Sequence, residues 1–117
     1  MKIGGTANFS VNGRRYSLRA NMNVALSDEE RESVAGLDTI HGYLSRKVPA
    51  FIEADITDTA DFDIKDLTEV DNATVIAELD NGRIGVLRNC WQITQITLDV
   101  AEAQMSLRFE GSAGEWI

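Results

Sequence analysis

Apolar and polar residues alternate early in the chain with the two-residue period of a β-strand. The apolar positions of the longest run are Tyr16, Leu18, Ala20, Met22, Val24 and Leu26. Polar residues, among them Arg19, Asn21 and Asn23, lie between them. Because successive side chains of a strand point to opposite faces, this run predicts a long strand with one buried and one solvated face.

Two short turn sequences predict hairpins. Asn12-Gly13 precedes the long run, and the Asn-Gly dipeptide suits the positive φ angles of a two-residue type I′ turn. Asp80-Asn81-Gly82 lies between the alternating segment 73–79 and the segment 83–88. Each turn therefore predicts a pair of adjacent antiparallel strands.

Further strands are predicted over 42–46, 51–57, 93–100 and 103–110. In the second of these, Ile52, Ala54 and Ile56 fall on one face, while Glu53 and Asp55 fall on the other. One side of this strand is therefore expected to be acidic and solvated.

One segment, 62–70, predicts a helix. Ile64, Leu67 and Val70 recur at a spacing of three residues, and Asp61 or Asp63 can cap the first turn. Together with about seven strands, this short flanking helix predicts a mainly β fold, an antiparallel β-sandwich or barrel. A chain of 117 residues has the usual size of one domain, so we expect a single domain over 1–117.

Two segments lack strand periodicity. Residues 28–40 are predicted to form a long exposed loop, with a capping box at Ser27 and Glu30 as the only helical signal. Loops of this length are usually functional, so we expect this one to contact a partner. The glycine-rich end at 111–117 is expected to be a flexible tail, in which Trp116 either packs against a neighbouring subunit or is disordered.

The charge balance disfavours tight nucleic-acid binding. Nineteen acidic and eleven basic residues give a formal net charge of −8, which repels phosphate backbones. The chain shows neither a signal-like apolar region nor a run long enough to cross a bilayer. We therefore expect synthesis and folding in the cytoplasm, without membrane association.

The residues that usually carry catalysis or bind metal are scarce. His41 is the sole histidine and no nucleophile motif accompanies it, so we expect a strand-edge or interface residue and no enzyme activity. Cys90 is the sole cysteine, which excludes a disulfide within the chain, and we expect it to be a small core or interface residue. Asp61 and Asp63 begin like an EF-hand loop, but Lys65 stands where an oxygen ligand is needed. No metal or cofactor site is predicted.

A set of short segments, spread over almost the whole chain, carries a family resemblance in its order and spacing. The segments are Gly4-Gly5-Thr6-Ala7, Ser33-Val34-Ala35-Gly36-Leu37-Asp38 leading into His41-Gly42-Tyr43, Pro49-Ala50-Phe51-Ile52-Glu53-Ala54, Asp66-Leu67 with Asn72-Ala73-Thr74-Val75, Asp80-Asn81-Gly82, Leu87-Arg88-Asn89-Cys90-Trp91 and Arg108-Phe109-Glu110-Gly111. Together they resemble the tail tube proteins of Mu-like contractile phages.

The resemblance implies a structural role. Proteins of that family are similar in fold to other phage tail tube proteins and to the tube protein of type VI secretion. They are β-barrels or sandwiches with a flanking helix that stack as hexameric rings, so the chain is expected to self-assemble into a conduit through which DNA passes without being bound. Tail sheath, baseplate, tape-measure and tail terminator proteins are the other partners implied, in a virion tail assembled in the bacterial host cytoplasm.

Candidate assembly residues follow from combining this resemblance with the residue pattern. The candidates for ring stacking are Asp28, Glu29, Glu30, Arg31, Glu32, Val34 and Leu37. The candidates for the lumen face are Glu53 and Asp55, or Arg19, Asn21 and Asn23, and the sequence leaves open which face looks inward. The alternative hypothesis is a small monomeric β-barrel that binds a ligand or an oligonucleotide in a pocket.

Overall fold

The computed structural model describes residues 7–35, 40–112 and 114–117, and this part of the chain is mainly β with one short helix. The strands are β1 (Ala7–Val11), β2 (Arg14–Tyr16), β3 (Leu18–Ala25), β4 (Glu29–Ala35), β5 (Ile40–Lys47), β6 (Ala50–Thr57), β7 (Ala73–Leu79), β8 (Ile84–Gln92), β9 (Leu98–Asp99), β10 (Gln104–Gly111) and β11 (Gly114–Trp116). The helix α1 spans Ile64–Thr68. No helix in these ranges is long and apolar enough to cross a membrane.

Nine of the strands form one antiparallel sheet that curls into a nearly closed barrel. Its order is β2-β1-β7-β8-β10-β6-β3, with β9 added to β10 and β11 added to β8. The strands at the two ends of this order, β2 and β3, are joined by the single residue Ser17, whose carbonyl accepts a hydrogen bond from the amide of Thr57 at 2.8 Å. This connection brings the two ends of the sheet together, so the predicted barrel-like fold is confirmed.

Strand β8 belongs to both halves of the barrel. It pairs with β7 along one side, while β11 and then β10 follow its other side. The five-residue step from Phe109 to Gly114 matches the step from their partners Gln92 to Leu87, so β10 and β11 run along β8 in one register. The end of the chain, predicted to be a flexible tail, is therefore a strand that continues β10.

Close packing explains why a glycine-rich segment is ordered here. A Cβ at Gly114 would lie 2.7 Å from Leu26 Cδ2 and 2.8 Å from the Val86 carbonyl oxygen, so this position requires glycine. The ring of Trp116 packs over Gly85 on β8, and Glu115 forms an ion pair with Arg88. The sequence pattern missed this strand because β11 has only three residues, too few to show alternation.

The core lies inside the curled sheet, where the alternating residues of β6, β7 and β10 meet. Ile52, Ala54 and Ile56 are buried, as their spacing predicts. Phe9 and Phe109 contact each other across the core with ring centroids 6.1 Å apart. The lateral helix α1 adds Leu67 to this core, and the Asp63 carboxylate caps the helix by accepting a hydrogen bond from the Lys65 amide.

The predicted hairpin turns are present. Asn12 and Gly13 both have positive φ, at 51° and 85°, as a type I′ turn between β1 and β2 requires. At the turn between β7 and β8, Gly82 has a φ of 91°.

The expected loop at 28–40 is not a loop over most of its described length. Residues Glu29–Ala35 are strand β4, which pairs with β5 in a separate two-stranded sheet that we call the arm. Side chains of β4 from Glu29 to Val34 are exposed on both faces of the strand. Neither face therefore needed apolar residues, and the alternation that identifies strands in sequence is missing. Gly36 to Thr39 lie outside the described residues.

The strand predicted over 93–100 forms only as Leu98–Asp99. From Gln92 to Leu98 the chain advances six residues, whereas β10 advances four between their partners Phe109 and Met105. Two extra residues cannot be placed in a regular ladder, so the segment between β8 and β9 bulges away from β10. A similar shift occurs in β3, where Leu18 to Met22 is opposed by the two-residue step from Ile56 to Ala54.

Ala103 offers a stability test. It is exposed and has a φ of 51°, a conformation that costs a residue with a Cβ roughly 1–2 kcal/mol. We expect Ala103→Gly to raise the free energy of unfolding by about 0.5–1 kcal/mol, since relief of strain exceeds the extra entropy of an unfolded glycine. Urea unfolding followed by tryptophan fluorescence measures the change. The control is Ala101→Gly in the same turn, where φ is not positive, and an equal gain in both variants would contradict the explanation.

Candidate assembly surfaces

A polar face covers the outside of β3, β6 and β10. Because β6 buries Ile52, Ala54 and Ile56, its Glu53 and Asp55 side chains point outward. Arg108 and Ser106 of β10 are directly opposite them, and Asn23 of β3 is opposite Glu53 on the other side. The residues of this face, which we call the polar face, are Asn21, Asn23, Glu53, Asp55, Ser106, Arg108 and Glu110.

Arg108 is the cation at the centre of the polar face, and two carboxylates hold it. Its Nη1 lies 2.8 Å from Glu53 Oε2, and its Nε lies 3.0 Å from Glu110 Oε2. Its guanidinium also stacks 3.9 Å from the ring centroid of Phe51. Burial lowers the pKa of Arg108, but the hydrogen bonds that Arg108 donates to Glu110 and Glu53 outweigh burial and raise the pKa overall. The positive charge of Arg108 is therefore balanced by the adjacent carboxylates of Glu53 and Glu110.

Neighbouring polar groups continue this network. Asn23 Nδ2 donates to Glu53 Oε1 at 3.0 Å, and the Ser106 hydroxyl donates to the Asp55 carboxylate. A cleft of about 340 Å³ lies over these side chains and is lined by polar residues from all three strands. The structure thus brings together four of the five lumen-face candidates, Asn21, Asn23, Glu53 and Asp55. The fifth, Arg19, does not line the cleft and instead pairs with Glu102 at 3.0 Å.

The edge of β3 borders the polar face. Within the described residues β3 pairs with β6 on one side only. From Met22 to Ala25 this pairing is regular, so the opposite side presents a regular row of backbone donors and acceptors. Such an edge is a template for pairing with a strand of another chain.

Charged residues of the arm are matched across its two strands near the root. Arg46 Nη2 lies 2.7 Å from Glu30 Oε2, and its Nη1 lies 3.9 Å from Glu32 Oε1. Asp28 and Lys47 are 3.6 Å apart at the point where the arm leaves the barrel. These cross-strand pairs hold together a strand that has no buried face, although each exposed pair contributes only about 0–1 kcal/mol.

Apolar residues are exposed toward the tip of the arm. Leu44 is 62% exposed, and Val34, on the same face, is exposed as well. On the opposite face Tyr43 is 56% exposed, with the Arg31 guanidinium 4.4 Å from its ring centroid. A two-stranded hairpin alone is marginally stable in water, so these apolar side chains mark the arm as a surface to be covered. Six of the seven stacking candidates lie on the arm or at its root, while Leu37 lies outside the described residues.

Residues that could bind a metal ion do not cluster in the described part of the chain. No group of three or more His, Cys, Asp or Glu side chains is arranged to hold a metal ion there. The backbone of His41 lies in β5, but its side chain is outside the described set. The acidic residues Asp58, Asp61 and Asp63 lie around Arg14 and the start of α1. Asp61 forms an ion pair with Arg14, and Asp63 caps the helix.

Cys90 is a buried core residue. Its thiol donates to the Ala73 carbonyl at 3.2 Å, and burial raises its pKa to about 11. We expect Cys90 in the folded protein at pH 8 to react with a disulfide reagent roughly 100-fold or more slowly than in urea, because the thiolate is scarce and shielded. Absorbance of the released thiol measures both rates, and equal rates would contradict this burial.

Sequence reasoning did not select several of these surface residues. Ser106, Arg108 and Glu110 alternate with buried Met105, Leu107 and Phe109, so their period-two pattern was the available signal. Trp91 is 43% exposed. It does not continue the alternation of β8, because Asn89, with a φ of 54°, breaks the regular strand conformation two residues earlier. Tyr43 and Leu44 are adjacent and point to opposite faces of the arm, so they do not form an alternating apolar pattern.

Comparisons with known proteins identify the family of this chain. Residues 1–116 match the family model described as phage tail tube protein. The chain is 27% identical to the Mu-like prophage FluMu tail tube protein of Haemophilus influenzae. The matched region of 104 residues covers 89% of this chain and 86% of that protein. The chain belongs to the phage tail tube protein family.

Proposed function

We propose that this protein is the structural subunit of a bacteriophage tail tube and that its copies form stacked hexameric rings around a channel for DNA. The observation that carries the proposal is the polar face of β3, β6 and β10, which ends at the unpaired edge of β3. Joining such edges between copies would extend one polar sheet from subunit to subunit. Heterologous contacts of this kind close into rings when the rotation between copies allows it.

The polar face is the surface that we propose for the lumen. Its charged residues are Glu53, Asp55, Glu110 and Arg108, so it carries three carboxylates and one guanidinium. The guanidinium is held by two of those carboxylates, which leaves no exposed, unpaired cation on the face for a phosphate to bind. DNA would therefore pass such a wall with little attraction.

The arm is the element that we propose for contacts between rings. It projects from the barrel as a separate sheet and exposes apolar residues near its tip. Burial of these side chains against another copy would supply the cover that an isolated hairpin lacks. By analogy with the family, the proposed role is that of a structural rather than catalytic component of the virion tail, and the proposed place of assembly is the host cytoplasm. Tail sheath, baseplate, tape-measure and tail terminator proteins are its proposed partners.

Electron microscopy of the purified protein over a range of concentrations tests the proposal. We expect rings or tubes whose abundance rises with protein concentration. Monodisperse particles of the monomer's size at the highest concentration would contradict it and would favour the alternative, a monomeric barrel that binds a ligand in its polar cleft.

A charge variant tests the lumen. Glu53→Gln with Glu110→Gln removes the two carboxylates that hold Arg108, and the net charge of the polar face changes from −2 to zero. We expect assembled tubes of this variant to retain DNA that wild-type tubes release, because a freed guanidinium can bind phosphate. DNA remaining after sedimentation at low salt is the measurement, and the retention is expected to fall as salt rises.

The matched control changes the net charge by the same amount elsewhere. Glu69→Gln with Asp71→Asn alters two exposed residues beside α1, outside the polar face. We expect this control to release DNA like the wild type. Equal retention by both variants would indicate a general charge effect and would contradict the lumen assignment.

A further inference from the structure

The root of the arm carries an apolar notch that matches the tip of the arm. Val48 and Pro49 connect β5 to β6, and the exposed ring of Trp91 lies beside them with Gly111 and Ser112. Together these residues enclose a hollow of about 430 Å³, which we call the root notch. On the other side of Val48 and Pro49, a second hollow of about 260 Å³ includes Phe51.

The tip presents the complementary surface. Register pairs Glu32 with Leu44 and Val34 with Gly42, so Val34 and Leu44 are diagonal neighbours on one face. No Asp, Glu, Lys or Arg lies in the described tip segments 33–35 and 42–45. Glu32, opposite Leu44 on this face, lies 3.9 Å from Arg46, so the patch can enter an apolar notch without burying an unpaired ion.

The charges around the two surfaces are compatible with this contact. The face of the arm that bears Leu44 carries Glu30 and Glu32 against the single cation Arg46. The rim of the root notch carries both Asp28 and Lys47, 3.6 Å apart, of which the Lys47 side chain is the more exposed, at 80% against 43%. An arm that approaches the notch of another copy would place its excess negative charge near an accessible ammonium group.

We infer that the tip of the arm, through Val34 and Leu44, docks in the root notch of a second copy of this chain, against Val48, Pro49 and Trp91. The inference rests on the proposed assembly into a tube and names the surface that receives the arm. Tip and notch lie at opposite ends of the arm, so the contact is head-to-tail. A copy whose tip is docked still has a free notch, and the same contact can be repeated by the next copy. Each docked copy offers its own free tip or notch to the next.

Cysteine cross-linking tests this contact. Protein carrying Leu44→Cys is mixed with protein carrying Pro49→Cys, assembled and oxidised. Cys90 stays in place because it is buried and its pKa is raised to about 11. We expect disulfide-linked dimers between the two variants. The matched control is Ser45→Cys, at the adjacent position, which is also exposed but points to the opposite face of the arm.

The outcomes separate the two proposals. Efficient cross-linking of Leu44→Cys, with little from Ser45→Cys, supports docking in the root notch. Tubes that form without a Leu44–Pro49 cross-link, or that cross-link equally well through Ser45→Cys, overturn the docking and leave the tube proposal intact. Absence of rings and tubes in every condition overturns both.

A double-mutant cycle measures the same contact without cysteines. Leu44→Ala and Trp91→Ala are each expected to raise the critical concentration for assembly roughly tenfold. If the two side chains touch each other, the double variant raises it little further and stays well below the roughly 100-fold expected for independent sites. Val100→Ala, which alters an apolar side chain that is 82% exposed outside both surfaces, is expected to leave the critical concentration unchanged. Independent effects of Leu44→Ala and Trp91→Ala would overturn the contact.

Discussion

Replacement of residues 30–46 by the dipeptide Asn-Gly is expected to abolish tube formation while leaving the barrel folded. Glu29 and Lys47 are paired across the arm, so a two-residue type I′ turn can connect them without disturbing the root. The variant loses the exposed tip and keeps all the buried core residues that the structure describes. Electron microscopy and sedimentation velocity at matched concentrations measure the loss of assembly.

Stability provides the check that the shortened protein is native. The described side chains that it lacks are exposed, so we expect its free energy of unfolding to stay within about 1 kcal/mol of the wild type. The matched control, Ser33→Ala with Ser45→Ala, keeps a full-length arm and is expected to assemble normally. Tubes from the shortened protein at the wild-type concentration would show that the arm does not carry ring-to-ring contacts.

Phe109→Ala is expected to lower the free energy of unfolding by about 3–5 kcal/mol, the usual range for deleting a buried aromatic ring. Phe109 is fully buried on β10, opposite Ile52 of β6 and Gln92 of β8, and its ring contacts Phe9. A cavity at this position removes packing from both halves of the barrel at once. For a chain of this size the melting temperature should fall by roughly 10–25 °C.

The same substitution at a half-buried ring is the control. Phe62 packs edge-to-face on Tyr16 at 5.1 Å between centroids but lies at the margin of the core. We expect Phe62→Ala to cost clearly less, about 1–2 kcal/mol, in urea unfolding with an unchanged m-value. Equal losses for the two variants would contradict the central position assigned to Phe109.

Strands that bury one face were predictable from the sequence, whereas of the two solvated strands of the arm only β5 was predicted, over 42–46. Alternation identified β6 and β10 because burial of Ile52 or Leu107 requires apolar residues at every second position. Strand β4 escaped detection because both of its faces are solvated, and its partner is specified by charge pairs such as Glu30 with Arg46. Periodicity carries information about burial, and it carries none where nothing is buried.

Register is a second limit of reasoning from one sequence. Segment 93–100 has the composition of a strand, yet two residues in excess of the β10 ladder prevent it from pairing along its length. The polar face was partly predictable, since Glu53 and Asp55 alternate with buried residues. The position of Arg108 beside Glu53 was not predictable, because it depends on which strand pairs with β6. Strand order is a property of the whole fold.

The two register shifts described above bear on how safely this protein can accumulate in a cell. A flat, uninterrupted strand edge recruits any extended chain and leads to fibrous aggregates. Here the segment after β8 is irregular, and on the free edge of β3 only Met22–Ala25 offers a regular row for pairing. Pairing along this edge is thereby confined to a short row, which discourages growth by indiscriminate stacking of sheets.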